Sequence, residues 1–185
     1  MDENKLNIIK PFGPAIAKVK MPEKIINALN DHVDKIVNNE ELSKKFDNGK
    51  YLAGNVKQEL TLSKEISEES GWSSFLANST RAWIKFCLGK NIKEFQIYSS
   101  WIVRQFSNEY NPVHWHSGHI SGAGFLKVPS TFGETFQKDK KNLNGQLTLI
   151  HGQRAFMSDA QYKITPEVGD FYIFPHYLMH AVYPF

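Results

Sequence analysis

The first half of the chain has apolar residues at three- and four-residue spacing, the pattern of amphipathic helices. One predicted helix covers residues 21–46 and begins near Pro22, which suits a first helical turn. A second covers residues 71–90 and ends at Gly89. The apolar faces consist of Ile25, Ile26, Leu29, Val33, Ile36 and Val37 in the first helix, and of Trp72, Phe75, Leu76, Ser79, Trp83, Phe86 and Cys87 in the second.

From Phe95 onward the pattern changes to the two-residue alternation of β-strands. Residues 95–106 predict a strand with Tyr98, Ser100 and Arg104 on one face. Four further segments, ISGAGFLKVP, GQLTLIH, YKITPEVGDFYIFP and HAVYPF, predict short strands punctuated by glycine and proline. Helices followed by short strands predict a mostly β, α+β fold, an antiparallel sandwich or barrel backed by helices. We expect one domain over residues 1–185, mainly helical to residue 94 and with its β core after it.

Composition and charge narrow the class of protein. The chain has 185 residues, 41% hydrophobic and 22% charged, which suits a folded domain. Its net charge of +3 comes from scattered lysines, which favours a solvated surface over a nucleic-acid interface. The single cysteine, Cys87, excludes an internal disulfide and suits a reducing cytoplasm. Neither a signal peptide nor a membrane-spanning segment is visible, so we expect a soluble, cytoplasmic protein.

Three of the seven histidines lie in the segment NPVHWHSGHISG, residues 111–122. On an extended strand, His114 and His116 point to the same face, so they can bind one ion together. Imidazole nitrogen suits iron, copper, zinc or nickel. A His-x-His pair alone is equally compatible with two hydrogen-bonded surface histidines.

A third histidine follows an apolar strand near the end of the chain, in GDFYIFPHYLMHAVYPF. If the sandwich brings His180 opposite the His114/His116 strand, three protein ligands share one face. Three ligands leave coordination positions open, which a metal needs if it is to bind a substrate or O₂.

The segments NPVHWHSGHISGAGFLKVP and GDFYIFPHYLMH together resemble the iron(II)- and 2-oxoglutarate-dependent oxygenase superfamily. They are most similar to a small group with a His-x-His motif that is common in marine phages and bacteria. The segments PFGPAIAKVKMPEKI and LAGNVKQE resemble the N-terminal region of the same group, so the resemblance covers nearly the whole chain.

The resemblance implies a double-stranded β-helix, or jelly roll, that holds Fe(II) with 2-oxoglutarate as co-substrate and O₂ as oxidant. Such an enzyme hydroxylates its substrate and releases succinate and CO₂. His114 matches the first iron ligand and His180 the distal one. The superfamily's middle ligand is usually a carboxylate, and His116 stands at that position. The triad is therefore either three histidines, or His114 and His180 with a water or substrate group.

The sequence differs from the superfamily pattern at a second point besides His116. The superfamily usually binds the far carboxylate of 2-oxoglutarate with an arginine about ten residues after the distal histidine. The sequence ends at Phe185, so a C-terminal strand of the natural protein is expected to be missing. Otherwise Arg104 or Lys127 takes that role, with Tyr98 lining the pocket. His119 is expected beside the ligands or on the substrate side. Asn111 is expected to shape the turn into the ligand strand, close to the ligands.

Two other functions remain open: a cupin-type dioxygenase with a three-histidine iron centre and no 2-oxoglutarate, and a non-catalytic jelly-roll module that binds a metal or ligand. The expected partner is an unidentified substrate, a small molecule or a protein side chain, and a homodimer is an option; neither a membrane nor a nucleic acid is expected. His32 is expected at the surface or at the edge of the core, His176 in solvent, and His151 in a structural role. Trp101 and Trp115 are expected to pack in the core.

Overall fold

The computed structural model describes residues 7–9, 13–135 and 140–185, and the described residues form ten β-strands and four α-helices. The strands are β1 (Asn7–Ile9), β2 (Ile16–Lys20), β3 (Gln58–Thr61), β4 (Trp101–Arg104), β5 (Asn111–His114), β6 (Ile120–Gly124), β7 (Leu147–Ile150), β8 (Gln161–Ile164), β9 (Asp170–Pro175) and β10 (Met179–Val182). The helices are α1 (Glu23–Val37), α2 (Glu40–Phe46), α3 (Lys64–Glu69) and α4 (Trp72–Leu88). The chain is thus mixed α and β, as the sequence pattern predicts.

The helix predicted over residues 21–46 is two helices, because the chain leaves the helical path after Asn38. The side chain of Asn39 accepts a hydrogen bond from the Leu42 backbone N–H (3.0 Å) and so caps a new helix, α2. The second predicted helix is confirmed as α4, which Gly89 ends at a φ of 66°. Phe86 does not belong to its buried face: the side chain is 72% exposed, whereas Trp83 is buried.

Two four-stranded antiparallel sheets lie face to face. The first has the strand order β1-β2-β9-β6 and the second β5-β10-β7-β8. Apolar side chains of both sheets form one buried cluster between them, consisting of Ile16, Tyr172 and Phe174 from the first sheet, Leu147, Leu149 and Ile164 from the second, and Leu178. Sheets that bury one face each against the other satisfy the two-residue alternation of their strands.

The other face of the first sheet packs against helices α1 and α4. This second cluster contains Ala17, Val19, Phe171 and Ile173 from the sheet, and Ile25, Leu29, Trp72 and Trp83 from the two helices. The first sheet is therefore buried on both faces, and the second sheet carries the candidate ligand strands β5 and β10.

The strand predicted over residues 95–106 is shorter than expected. Only β4, Trp101–Arg104, is a strand, and it pairs with β3 in a separate two-stranded ribbon, β3–β4. Residues 90–100 have no regular structure, so Tyr98 and Ser100 do not share a strand face with Arg104. The pairing partner β3 comes from the half of the chain in which the sequence pattern indicates helices.

None of the helices in the described ranges combines the length and the apolar character that crossing a lipid bilayer requires.

Candidate metal centre

The three histidines predicted as ligands meet at the junction of β5 and β10. These strands are antiparallel neighbours, and His114 lies directly opposite His180. His116 follows two residues after His114, and its backbone N–H donates a hydrogen bond to the carbonyl of His176 (3.4 Å). One nitrogen from each of the three rings lies within 4.8 Å of the other two.

Hydrogen bonds to the backbone fix the ring orientation of two of these histidines. The Nδ1 of His114 lies 2.7 Å from the carbonyl oxygen of Pro112, and the Nδ1 of His180 lies 3.0 Å from that of Leu178. A carbonyl can only accept, so each Nδ1 carries the proton and donates it. This tautomer leaves Nε2 as the nitrogen that can bind a metal in each ring.

The closest approach in the cluster joins His116 Nε2 to His180 Nε2, which are 3.1 Å apart. Two nitrogens bound at right angles on one ion are roughly 3 Å apart when each metal–nitrogen bond is about 2.1 Å. Two unprotonated nitrogens at this distance repel each other unless a proton or a cation lies between them. The spacing of this pair fits either an N–H···N hydrogen bond between the two rings or a shared metal ion.

Burial keeps the candidate ligands in their neutral form. It lowers the pKa of His116 to about 4, with the nearby His114 as a second cause. Burial likewise lowers the pKa of His180 to about 4; the Leu178 carbonyl raises it slightly, and the two other rings lower it further. His180 is only 4% exposed. At neutral pH neither ring has to lose a proton before it binds a cation.

Aromatic side chains surround the cluster. The ring of Trp101 lies 5.3 Å from that of His116, and the ring of Phe174 lies 5.2 Å from that of His180. Trp101 is thus half-buried against the site. Trp115 follows the end of β5 and is 66% exposed, so the expectation that it packs in the core is wrong.

The donor set consists of three imidazoles. Within residues 7–9, 13–135 and 140–185, no other three His, Cys, Asp or Glu side chains have the spacing of a metal site, and no carboxylate joins this one. Because no ligand carries a negative charge, the protein ligands do not neutralise any of the charge of a divalent cation held here. Imidazoles suit Fe, Zn, Cu or Ni, whereas Mg²⁺ and Ca²⁺ require oxygen ligands.

The three residues predicted to bind 2-oxoglutarate lie apart from one another. Tyr98 is exposed, and its ring packs on the backbone at Gly118. Arg104 is half-buried, donates a hydrogen bond to Gln58 Oε1 and lies over the ring of Phe106.

Lys127 is exposed and forms an ion pair with Asp34 on α1, at 3.3 Å. Tyr98 and Arg104 are equally near in sequence to Trp101, which contacts the histidine cluster, but Arg104 and Trp101 face opposite sides of β4. The predicted role of Tyr98, Arg104 and Lys127 in binding 2-oxoglutarate stays a prediction.

His119 and Asn111 lie on either side of the cluster along the chain. His119 is exposed, and its carbonyl accepts a hydrogen bond from the His176 backbone N–H (3.2 Å), which joins the two loops next to the ligands. Asn111 is buried and is the first residue of β5. His32 lies at the edge of the core on α1, with its ring against Phe46.

Sequence reasoning missed one residue near the ligand strand, the buried Glu59 on β3. Its neighbours in QELT alternate without a clear apolar face, so the pattern gives no sign that this carboxyl points inward. The one feature of the sequence that points to Glu59 is that a carboxylate stands in a short strand with few other charged residues nearby.

Comparison with known families agrees with this geometry. Residues 99–185, a little under half of the chain, match the family described as "Putative 2OG-Fe(II) oxygenase". The match covers β4 to β10 and contains all three histidines of the cluster. The resemblance inferred from the sequence motifs is thereby confirmed over this part of the chain. No curated protein matches the chain.

Proposed function

We propose that this chain, whose residues 99–185 match the 2OG-Fe(II) oxygenase family, is an iron(II)- and 2-oxoglutarate-dependent dioxygenase. The observation that carries the proposal is the convergence of His114, His116 and His180 within the segment that the family covers. The two facing four-stranded antiparallel sheets support a jelly-roll core for this enzyme.

His114, His116 and His180 would hold the iron through nitrogens whose spacing fits one ion. Fe(II) bound there would supply open coordination positions for 2-oxoglutarate and O₂, and the redox chemistry of their reaction. The chain's own contribution is to orient His114 and His180 through the carbonyls of Pro112 and Leu178, and to keep His116 and His180 neutral by burial.

The aromatic walls of the site have a chemical role as well. Trp101 and Phe174 lie against two of the ligand rings and limit the access of water to them. A dry surrounding protects a reactive centre from side reactions with solvent. Oxidation of a substrate C–H bond, with hydroxylation as the outcome, is the reaction that such a centre suits.

The far carboxylate of 2-oxoglutarate requires a cation or hydroxyl donors. Arg104, Lys127 and Tyr98 remain the proposed partners, and a planar guanidinium is the best match for a carboxylate. We propose a small molecule or a protein side chain as the substrate. A reducing cytoplasm, which the single cysteine Cys87 favours, would keep the iron ferrous.

Turnover of 2-oxoglutarate tests the proposal. We expect iron-loaded protein to consume O₂ and 2-oxoglutarate slowly even without its substrate, and to form succinate in equal amount. The rate should fall at least about 100-fold in His180→Ala, because the centre loses one of three ligands. The exposed-histidine variant His119→Ala serves as the matched control and should keep more than half of the rate.

The three-histidine donor set also favours a second function, a dioxygenase that does not use 2-oxoglutarate. The supporting observation is that His116 stands where the superfamily has a carboxylate. The same assay separates the two functions: succinate that depends on added 2-oxoglutarate supports the first. Iron-dependent O₂ uptake without succinate would favour the second, and iron binding without any O₂ uptake would favour a non-catalytic module.

A further inference from the structure

The carboxyl group of Glu59 is buried on β3 without a hydrogen-bond donor for one of its oxygens. The residue is 1% exposed, and its Oε2 has no partner among the described residues. A buried carboxylate that lacks partners is costly in its charged form, so such a group favours the neutral acid. Burial and the nearby Asp47 raise the pKa of Glu59 to about 7.

The other oxygen of Glu59 points into the same small space beside Gly54 as the side-chain oxygen of an asparagine on the metal-binding strand. Glu59 Oε1 and Asn111 Oδ1 each lie 2.6 Å from the point that a Cβ atom on Gly54 would occupy. Only glycine leaves room for both. Gly54 is held there by its neighbour Asn55, whose backbone N–H donates to the carbonyl of Tyr110 (2.9 Å). Two acceptor oxygens that point into one small space repel each other, and a proton on the Glu59 carboxyl group would relieve this repulsion.

Asn111 is in turn connected to the ligands by the geometry of β5. Along β10 two residue steps separate His180 from Val182, whereas along β5 three steps separate their partners, His114 and Asn111. This extra residue is a β-bulge, and it places Asn111 and His114 on the same side of the sheet. A side chain that fixes the position of Asn111 therefore also fixes one end of this bulge. The bulge in turn determines the orientation of His114.

The ribbon β3–β4 contacts this ligand segment at a second point. Glu59 lies opposite Val103, and Thr61 lies opposite Trp101, so Glu59 and Trp101 share one face of the ribbon. Trp101 contacts the ring of His116. One face of the ribbon thus contacts the chain both before and after His114.

We propose that Glu59, as a neutral carboxylic acid, donates a hydrogen bond to Asn111 Oδ1 and is thereby a positioning residue for the metal-binding strand β5. The inference rests on the metal centre of the proposed function. The other carboxyl groups nearby do not supply this proton. Asp47 is exposed and accepts from the Gly49 N–H, and Glu109 accepts from two backbone N–H groups, those of Lys57 and Phe106.

The test is a double-mutant cycle that reads Co(II) affinity, with Co(II) as a spectroscopic probe of the three-histidine centre. Glu59→Gln keeps a donor at this position and should bind Co(II) within about two-fold of the wild type. Glu59→Leu and Asn111→Ala should each lose about 10-fold or more, the usual effect of removing a group that orients a ligand. The double variant that combines Glu59→Leu with Asn111→Ala should lose no more Co(II) affinity than the single variant with the larger loss, because both changes break the same contact. The exposed Glu41→Gln is the control and should be unchanged.

Two results would overturn the inference: additive losses in the cycle, or a loss in Glu59→Gln as large as in Glu59→Leu. If the wild type itself binds no Co(II), the proposed function fails together with the positioning role. In that case the unfolding free energies of the metal-free wild type, the two single variants and the double variant still show whether Glu59 and Asn111 are coupled.

Infrared spectroscopy provides a measurement that does not depend on the folding of Glu59→Leu. At about pH 6 the exposed carboxyl groups are ionised, so the carbonyl stretch of a protonated carboxyl group should come from Glu59 and disappear in Glu59→Gln. A wild-type spectrum without this band would contradict the neutral acid.

Discussion

His180→Ala and His114→Ala are each expected to abolish stoichiometric Fe(II) binding while the protein stays folded. Each change removes one of three nitrogens that lie within 4.8 Å of one another, and the two that remain cannot hold the ion alone. We expect the affinity to fall at least about 100-fold, more than the effect of losing a group that only orients a ligand. Anaerobic equilibrium dialysis with Fe(II) measures the loss, and circular dichroism checks the fold.

His116→Asp provides the informative contrast to these variants. An aspartate at this position restores the negative charge that the superfamily's middle ligand usually supplies, so Fe(II) affinity should be kept or increased. His119→Ala, on the same segment but outside the cluster, should bind one equivalent of Fe(II) as the wild type does. Retained binding in both His114→Ala and His180→Ala would refute the three-histidine centre.

The metal-free protein is expected to lose stability as the pH falls from about 6.5 to about 4. In the unfolded chain His116 and His180 take up protons near the usual histidine pKa of 6.5, whereas in the folded protein burial lowers the pKa of both to about 4. Between pH 6.5 and pH 4, protonation of the two histidines therefore favours the unfolded chain. The stability that the neutral rings contribute to the folded protein is fully present only above pH 6.5. The more buried His180 contributes up to about 3 kcal/mol, and His116 contributes less because solvent screens its partly exposed ring.

Urea unfolding in the presence of a chelator measures this loss at a series of pH values. Glu59 acts in the opposite direction, because its raised pKa of about 7 favours the folded state as the pH falls from 7 to 4.5. The variant Glu59→Gln should therefore lose stability more steeply on acidification than the wild type. His116→Gln should lose it less steeply, since it lacks one of the two buried rings. Equal unfolding free energies at pH 7 and pH 4.5 in Glu59→Gln would contradict neutral, buried ligands.

The parts of the site that follow from local periodicity could be predicted from the sequence. A spacing of two places His114 and His116 on one side of an extended chain, and both lie in the cluster. The apolar strand before His180 also appears in the structure, as β9. That His180 lies opposite His114 could be inferred only from the resemblance, since the pairing joins residues 66 apart in the sequence.

The parts that depend on distant pairing could not be predicted. β4 forms only where β3 is available to pair with it, more than 40 residues earlier, so Tyr98 lies outside any strand although its sequence alternates. Glu59 points inward because the ribbon faces β5, and no local pattern records that orientation. The division of the first helix depends on one side-chain cap at Asn39, which the strong apolar periodicity conceals.

The most direct test of the central claim is a titration of anaerobic protein, first with Fe(II) and then with 2-oxoglutarate, followed by visible absorption. Chelation of a keto acid to ferrous iron produces a weak charge-transfer band. We expect one equivalent of iron to bind, and the band to appear on addition of 2-oxoglutarate in the wild type but not in His180→Ala. Iron binding without the band would contradict a 2-oxoglutarate-dependent oxygenase and would favour the three-histidine dioxygenase.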